Sequence, residues 1–297
     1  MSQTATRIQV SAPSLEIDVA RGFSSPSTTR RIVLRSAGRR HGPVTRLVSP
    51  SDVGELIKPF VFLDHAEVAF TREPFARIHP HSGIATLTTV LQGGLAYEDT
   101  TGKEGQVSQG GLEWMKAGKG VWHDGAPLEG DPLRVFQLWI ALPEQEELAP
   151  PESQYVPTDA VDEDGPVRVI LGQYGVARSR IRAPEGINYF HVRLKDGERW
   201  VYTPPHDHNV AWLAVDRGRL IASEAVDSGQ VAVFEESNGA IELRAAGATS
   251  FVIGSAIKHP YPLILGYYSV HTSATALARG ETEIRRIGSQ LRAAGRL

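Results

Sequence analysis

The fold is constrained most by a regular series of short apolar runs, each roughly four to eight residues long. Gly, Pro, Asp and Asn separate these runs, which cover residues 60–63, 84–91, 133–142, 167–171, 187–194, 210–215, 230–234 and 251–253. Residues 99–102 and 216–218 are interpreted as hairpin turns, because glycine supplies the positive φ that such turns need. This pattern of short strands and turns predicts an all-β sandwich or barrel.

Three other segments suggest the domain organisation. Residues 1–30 are polar and rich in Ser and Thr, and they are predicted to form an N-terminal extension, either a flexible arm or an added edge strand. Residues 146–165 are acidic and proline-rich, and they are predicted to link a β unit at 31–145 to a second β unit at 166–297. The second unit ends in a predicted short helix, where Ile284, Ile287 and Leu291 follow helical spacing.

A weak internal repeat supports two copies of one β unit. His79 and His81 flank a proline, and His206 and His208 flank an aspartate. Each pair precedes a predicted strand and then a glycine-containing turn. The chain is therefore predicted to consist of two similar β units in tandem.

The first histidine pair is the strongest candidate for chemistry. Residues i and i+2 of a strand face the same side, so His79 and His81 can both point into one barrel. His123 follows a glycine-containing turn that leads into another strand. Three imidazoles from two neighbouring strands would form a facial metal site with open positions, and imidazole suits Fe, Zn, Cu, Ni and Mn. In a chain with ten histidines, a lone His-x-His can also occur by chance and have no function. The strand context and the presence of His123 favour metal binding.

The other histidines are interpreted as structural. No third histidine accompanies His206 and His208 at a suitable position, so the second unit is predicted to lack a complete metal site. Three tryptophans, Trp114, Trp122 and Trp139, are interpreted as core residues. The remaining isolated histidines, also treated as structural, are His41, His65, His191 and His271.

Composition excludes several classes of function. The 31 Lys and Arg against 34 Asp and Glu give a net charge of −3, which does not support direct nucleic-acid binding through a basic field. The absence of cysteine excludes disulfides, thiolate metal sites, Fe–S clusters and cysteine nucleophiles. No apolar run approaches the ~18 residues needed to span a bilayer, and the first residues lack an apolar signal core. We therefore expect no membrane association and a cytoplasmic location.

Several motifs, in their expected order, resemble those of the pirin family within the cupin superfamily. KPFVFLD at 58–64 is similar to the family's DPFLLLD, and HPHSG at 79–83 resembles HPHRG. The most specific stretch, GGLEWMKAGKGVWH at 110–123, is similar to GDVQWMTAGRGIVH. Weaker similarities occur in TVLQG at 89–93, QLWI at 137–140 and ILGYYSVHT at 264–272. The resemblance extends roughly from residue 31 to residue 288.

This resemblance implies a bicupin: two tandem jelly-roll β-barrels packed face to face, followed by the short C-terminal helix. It also implies one mononuclear metal site in the N-terminal barrel, with His79, His81 and His123 at the positions of the family's histidine ligands. Family members bind Fe most often, and Zn, Ni, Mn or Cu remain alternatives. Some members cleave quercetin with dioxygen, and others act as non-enzymatic, iron-dependent partners of transcription regulators.

The sequence departs from the family at the fourth ligand. The family's glutamate, two residues after the third histidine, is replaced by Gly125, and the acid that other cupins place shortly after His-x-His is replaced by Ala85. The glutamate would be the natural general base for a flavonol hydroxyl, so we expect weak or absent quercetin cleavage. Candidate residues for the pocket or for support of the ligands are Asp124, Glu113 and Arg77.

Three functional hypotheses follow. The first is a metal-dependent dioxygenase that acts on quercetin or another enolisable small molecule. The second is a non-enzymatic metal-binding regulatory protein that binds a protein partner. The third is a bicupin that has lost its metal and kept the fold. The intact histidines favour the first two hypotheses, whereas the missing carboxylates favour the third.

Overall fold

A computed structural model of the chain describes residues 29–70 and 76–297, and it describes no side chains at 76 and 77. The predicted extension at 1–30 thus lies almost entirely outside the described residues. The elements of the first half are β1 (Ile32–Ser36), β2 (Arg39–His41), β3 (Val44–Val48), α1 (Val53–Ile57), β4 (Phe60–Val68), β5 (Ala76–His81), β6 (Ile84–Gln92), β7 (Gly94–Asp99), β8 (Glu104–Ser108), β9 (Leu112–Lys116), β10 (Val121–Pro127), β11 (Leu133–Ala141) and β12 (Glu152–Val156).

The second half begins with a short 3₁₀ turn at Thr158–Ala160 and ends in a long helix. Its other elements are β13 (Glu163–Asp164), β14 (Val167–Leu171), β15 (Gln173–Tyr174), β16 (Ala177–Arg178), β17 (Ile187–Leu194), β18 (Arg199–Tyr202), β19 (Val210–Arg217), β20 (Arg219–Ile221), β21 (Ala225–Asp227), β22 (Val231–Phe234), β23 (Ile241–Ala245), β24 (Thr249–Ala256), β25 (Ile264–Gly266), β26 (Ser269–His271) and α2 (Ala274–Ala293).

Two seven-stranded antiparallel sheets pack face to face. One has the order β12-β9-β6-β11-β4-β3-β2, and the other has the order β1-β22-β19-β24-β17-β14-β13. Their facing surfaces share one buried apolar core, which includes Leu87 and Trp114 from the first sheet and Tyr189 and Trp212 from the second. A four-stranded sheet packs against each outer face, β5-β10-β7-β8 in the first barrel and β18-β23-β20-β21 in the second. The predicted pair of β-barrels is confirmed.

The interiors of the two barrels differ in chemistry. The second barrel is filled with apolar and aromatic side chains, among them Phe190, Trp200 and Phe251. This close packing resembles an ordinary protein core. In the first barrel, by contrast, polar side chains lie on the inner face of the large sheet.

The two barrels exchange segments at several points of the chain. The strand β1 lies within the range predicted for the first barrel, but it pairs with β22 of the second sheet. Within the predicted linker at 146–165, β12 pairs with β9 and β13 pairs with β14. A proline-rich segment can form such strands because each lies at the edge of a sheet, where proline is tolerated. The domain boundaries at 145 and 166 remain a prediction.

Helix α2 confirms the predicted C-terminal helix and returns to the first barrel. Ser273 caps its first turn by accepting a hydrogen bond from the Ala276 amide at 3.2 Å. One side of the helix is buried, at Ala276, Gly280, Ile284, Gly288 and Leu291. There the Nε1–H of Trp122 donates to the carbonyl of Ile284 at 2.8 Å. None of the helices in the described ranges has the length and apolarity needed to cross a membrane.

Candidate metal centre

Two adjacent strands of the first barrel bring the three predicted histidines together. His79 and His81 lie on β5, and His123 lies on β10, which pairs antiparallel with β5. The register places His123 directly opposite His79 and Val121 opposite His81. The three rings therefore share the inner face of this small sheet, as the i, i+2 spacing predicts.

The geometry of the three imidazoles fits one metal ion. Their candidate ligand nitrogens all lie within 4.8 Å of one another, and the Nε2 atoms of His79 and His123 are 3.1 Å apart. Two nitrogens that ligate one ion at about 2.1 Å and at angles of 90–110° are about 3.0–3.4 Å apart. The Nδ1 atom of His123 is buried without a hydrogen-bond partner. This set of converging nitrogen donors fits a divalent ion.

The surroundings keep two of the imidazoles neutral, which is the form that ligates a metal. Burial, helped by the neighbouring His79, lowers the pKa of His81 to about 3. Burial and the two other histidines hold the pKa of His123 well below its usual value. The carbonyl of Tyr268 lies 3.0 Å from Nδ1 of His81, so the proton of the neutral ring is placed on Nδ1. The Nε2 lone pair of His81 is then available for a metal.

The missing glutamate leaves space beside the triad. A Cβ atom added to Gly125 would have Leu95 Cδ1 as its nearest neighbour, at 3.3 Å. Leu95 belongs to the apolar cluster inside the first barrel, so this Cβ would point inward. Ala85, by contrast, belongs to the core between the two large sheets. A carboxylate at Ala85 would therefore point away from the triad.

The candidate accessory residues take different positions. Asp124 is half-buried, and its Oδ1 accepts a hydrogen bond from the amide of Gly125 at 2.7 Å. The side chain of Arg77 lies outside the described residues. Glu113, for which the sequence allowed an exposed or supporting position, is buried at 4% exposure. It is buried because its strand alternation points it into the barrel.

Glu113 begins a row of polar side chains across the inner face of the large sheet. Thr88 Oγ1 lies 2.8 Å from Glu113 Oε2 and 2.7 Å from Gln137 Oε1. Next in the row, Asp64 accepts two hydrogen bonds from Arg46, at 2.6 and 3.0 Å. Burial, together with the charge of Asp99, raises the pKa of Glu113 to about 7, although the hydrogen bond to Thr88 opposes this shift. Glu113 is therefore a buried acid that titrates near neutral pH.

An aromatic wall, formed by Trp139 and Phe62, extends from the triad. The ring of Trp139 lies 4.9 Å from that of His81 and stacks on Phe62 at 4.0 Å. The guanidinium of Arg46 lies 4.0 Å from the centre of the Phe62 ring. The interpretation of Trp139 as a core residue is correct for its burial, but the ring also borders the triad.

The second His-x-His pair has a different environment. His206 is exposed, whereas His208 is buried and its Nδ1 lies 2.9 Å from Ser255 Oγ. The carbonyl of His208 also accepts a hydrogen bond from Arg30 at 2.7 Å. Within the described part of the chain, the first triad is the one group of three or more His, Asp or Glu side chains that could share a metal ion.

Sequence reasoning did not identify Tyr268 as part of the site. Its ring lies 5.4 Å from that of His79 and 5.9 Å from that of His81. The sequence contained one indication, the segment ILGYYSVHT at 264–272, which resembles a segment of the pirin family.

Fold and site together define a bicupin with a three-histidine centre. The chain matches the sequence model of pirin over residues 43–140. It is 31% identical over 243 residues to a Pseudomonas aeruginosa protein provisionally named quercetin 2,3-dioxygenase. The alignment covers 76% of this chain and 84% of that relative. It is 32% identical over 196 residues to a pirin-like protein of Caulobacter vibrioides. That alignment covers 62% of this chain and 70% of the relative. The chain belongs to the pirin family.

Solved structures support the same fold. The crystal structure of a quercetin 2,3-dioxygenase from Acinetobacter baumannii matches with a TM-score of 0.79 at 23% identity, over 87% of this chain and 97% of that one. The Escherichia coli pirin YhhW, solved in complex with nickel(II), matches with a TM-score of 0.58 at 19% identity, over 74% and 94%. At these identities the similarity concerns the fold alone.

Proposed function

We propose that His79, His81 and His123 bind one divalent metal ion, iron in the cell, and that this centre oxidises a small aromatic substrate of the quercetin type. The proposal depends on one observation, the convergence of three imidazole nitrogens within 4.8 Å. Burial keeps His81 and His123 in the neutral form that a metal requires. A neutral donor set leaves the full charge of a divalent ion available to an anionic ligand.

The residues around the triad suit a flat, enolisable molecule. Bound iron would act as a Lewis acid and redox partner for dioxygen chemistry. The ring of Trp139 lies 4.9 Å from that of His81 and borders the triad, and a planar aromatic molecule packs well against such a ring. The provisional name of the Pseudomonas relative, quercetin 2,3-dioxygenase, supports the same substrate class.

The activity should be weak or altered, because Gly125 carries no general base. The buried acid Glu113 is instead hydrogen-bonded to Thr88 and interacts electrostatically with Asp99 and Tyr155. The substrate hydroxyl would therefore lose its proton to solvent. This step is slower than transfer to a carboxylate positioned for the purpose.

The lack of a general base at Gly125 also favours a second candidate, a non-enzymatic metal-binding protein that regulates a protein partner. The triad could then bind iron without the base that quercetin cleavage uses. Dioxygen uptake in the presence of quercetin distinguishes the two candidates: the enzyme consumes dioxygen and the regulatory protein does not.

Metal content provides the first test. The untagged protein, expressed with added iron and purified without chelators, should contain about one equivalent of metal by mass spectrometry. His81→Ala should contain almost none, because two imidazoles bind a divalent ion far more weakly than three. The matched control, His41→Ala, removes an exposed histidine and should retain the metal. Metal-free wild-type protein that is folded after iron loading would disprove the proposal and support a bicupin that has lost its metal.

A further inference from the structure

Tyr268 occupies a strained position next to the triad. It lies in the turn between β25 and β26, and its φ of 51° falls in the left-handed region. Among the non-glycine residues that the structure describes, it is the one with positive φ. L-residues seldom adopt this conformation, and residues that do often cluster at functional sites.

Both the backbone and the side chain of Tyr268 contact the site. Its carbonyl accepts the Nδ1–H of His81 at 3.0 Å, although the two residues are 187 positions apart in the chain. Its ring lies within 6.5 Å of the rings of His79, His81 and Trp139. Tyr268 as a whole is 42% exposed, so it also faces solvent. A molecule that approaches His79 from solvent would meet the Tyr268 ring.

A buried hydrogen-bonded cluster holds this turn in place. Oγ of Ser82, the residue after His81, is hydrogen-bonded to Ser269 Oγ at 2.9 Å and to His271 Nε2 at 3.0 Å. On its other side, Nδ1 of His271 lies 3.0 Å from Glu147 Oε2. Glu147 also accepts hydrogen bonds from the amide and hydroxyl of Thr272 at 2.8 and 2.7 Å. The cluster therefore connects the strand of His81 to the hairpin of Tyr268.

We propose that Tyr268 is the positioning and specificity-determining residue of the metal centre. Its carbonyl holds His81 with Nε2 towards the metal, and its ring packs against the face of a planar aromatic ligand. The second part rests on the proposed function, because it names the substrate class of the same centre. The first part requires only that the triad binds a metal.

Two substitutions at Tyr268 separate the carbonyl from the ring. Tyr268→Gly removes the ring but accepts the positive φ, so it should preserve the carbonyl contact. Tyr268→Val also removes the ring but strongly disfavours positive φ because it is β-branched. Tyr267→Ala is the matched control, since it removes a neighbouring ring that is 62% exposed. Far-UV circular dichroism and thermal melting confirm that each variant is folded.

The first measurement is nickel(II) affinity, by competition with a chromophoric chelator. We expect Tyr268→Gly to stay within about threefold of the wild type and Tyr268→Val to bind about tenfold more weakly, as for loss of other groups that orient a ligating histidine. Equal nickel affinity in the Gly and Val variants would overturn the positioning role. A wild-type protein that binds no nickel would instead disprove the proposed metal centre.

The second measurement is quercetin binding to the nickel-loaded protein without oxygen, followed by absorbance. We expect Tyr268→Gly to weaken binding by about tenfold, as for loss of an aromatic contact, and Tyr267→Ala to change it by less than about twofold. Unchanged binding in Tyr268→Gly, or an equal loss in Tyr267→Ala, would overturn the role of the ring. Absence of quercetin binding in the nickel-loaded wild type would overturn the planar aromatic ligand and, with it, the role of the ring.

Discussion

Replacement of Gly125 by glutamate should restore the carboxylate that the triad lacks. A Cβ can be added here if a flexible Leu95 methyl, its nearest neighbour at 3.3 Å, shifts by a few tenths of an ångström. This glycine is also absent from the positive-φ positions, so a side chain causes no backbone strain there. The glutamate would add a negative charge to a donor set of three imidazoles.

The expected gain in metal affinity is large. Loss of groups that only orient a metal ligand typically changes affinity by about 10–100-fold. A carboxylate that binds the metal directly should therefore tighten binding by at least about 100-fold, or about 2.7 kcal/mol. Gly125→Gln has nearly the same size and shape without the charge, and should gain less than about tenfold.

Competition titrations with iron(II) and nickel(II) would measure these affinities, with Gly125→Ala as a control for packing. Dioxygen consumption with quercetin should rise in Gly125→Glu, because the same carboxylate can accept the substrate proton. Equal metal affinities for the Glu and Gln variants would refute the reasoning. Position 125 would then point away from the triad, despite its contact with Leu95.

Two further predictions concern stability. Glu113→Gln should remove a pH dependence of the free energy of unfolding. Folding raises the pKa of Glu113 from 4.5 to about 7, so the native state holds a proton that the unfolded state releases. The wild type therefore loses stability as the pH rises through this range. In urea unfolding, the variant and the wild type should have similar free energies of unfolding near pH 4.5, and the variant should be more stable by on the order of 3 kcal/mol at pH 8. The control Glu104→Gln, at an exposed site, should show no such difference. Gly288→Ala should lower the free energy of unfolding by about 1–3 kcal/mol, since an added Cβ would lie 2.7 Å from the ring of Trp122. Ser289→Ala on the exposed side of α2 should stay within about 0.5 kcal/mol of the wild type, and an equal effect of the two would contradict this packing.

A proton on Glu113 would also account for the two short contacts of Thr88. Thr88 has one hydroxyl hydrogen but lies between two acceptor oxygens, those of Glu113 and Gln137. A protonated Glu113 donates to Thr88, which then donates to Gln137, and each oxygen is satisfied. A wild-type free energy of unfolding that does not change from pH 4.5 to 7 would mean that Glu113 is ionised in the native state throughout this range. The side-chain amide of Gln137 would then be flipped, with its nitrogen facing Thr88.

Local features of the sequence predicted much of the fold. The strand rhythm and the glycine turns depend on neighbouring residues, so the two barrels could be inferred without long-range information. The spacing of His79 and His81 also predicted their shared face, because side chains alternate along a strand. His123 was predicted as the third ligand because it follows a glycine-containing turn into another strand, and the pirin-like motif at 110–123 added support.

Long-range contacts were beyond sequence reasoning. The strand β1 lies beside other strands of the first barrel in sequence, yet it pairs with the second sheet. His271 was interpreted as an isolated structural residue, whereas it is hydrogen-bonded to Glu147, inside the acidic segment predicted to be a linker. Nothing in the local pattern distinguishes the buried Glu147 from the less buried acids Glu144 and Glu146, because its burial depends on donors from the distant Thr272.

The distance in sequence between His81 and Tyr268 has a consequence for biosynthesis. The three histidines leave the ribosome early, but the carbonyl that orients His81 follows 187 residues after it. A nascent chain would therefore expose the imidazoles before their final orientation is set. Stable metal capture should then be a late, post-translational event, and the nascent chain should bind iron more weakly than the released, folded protein.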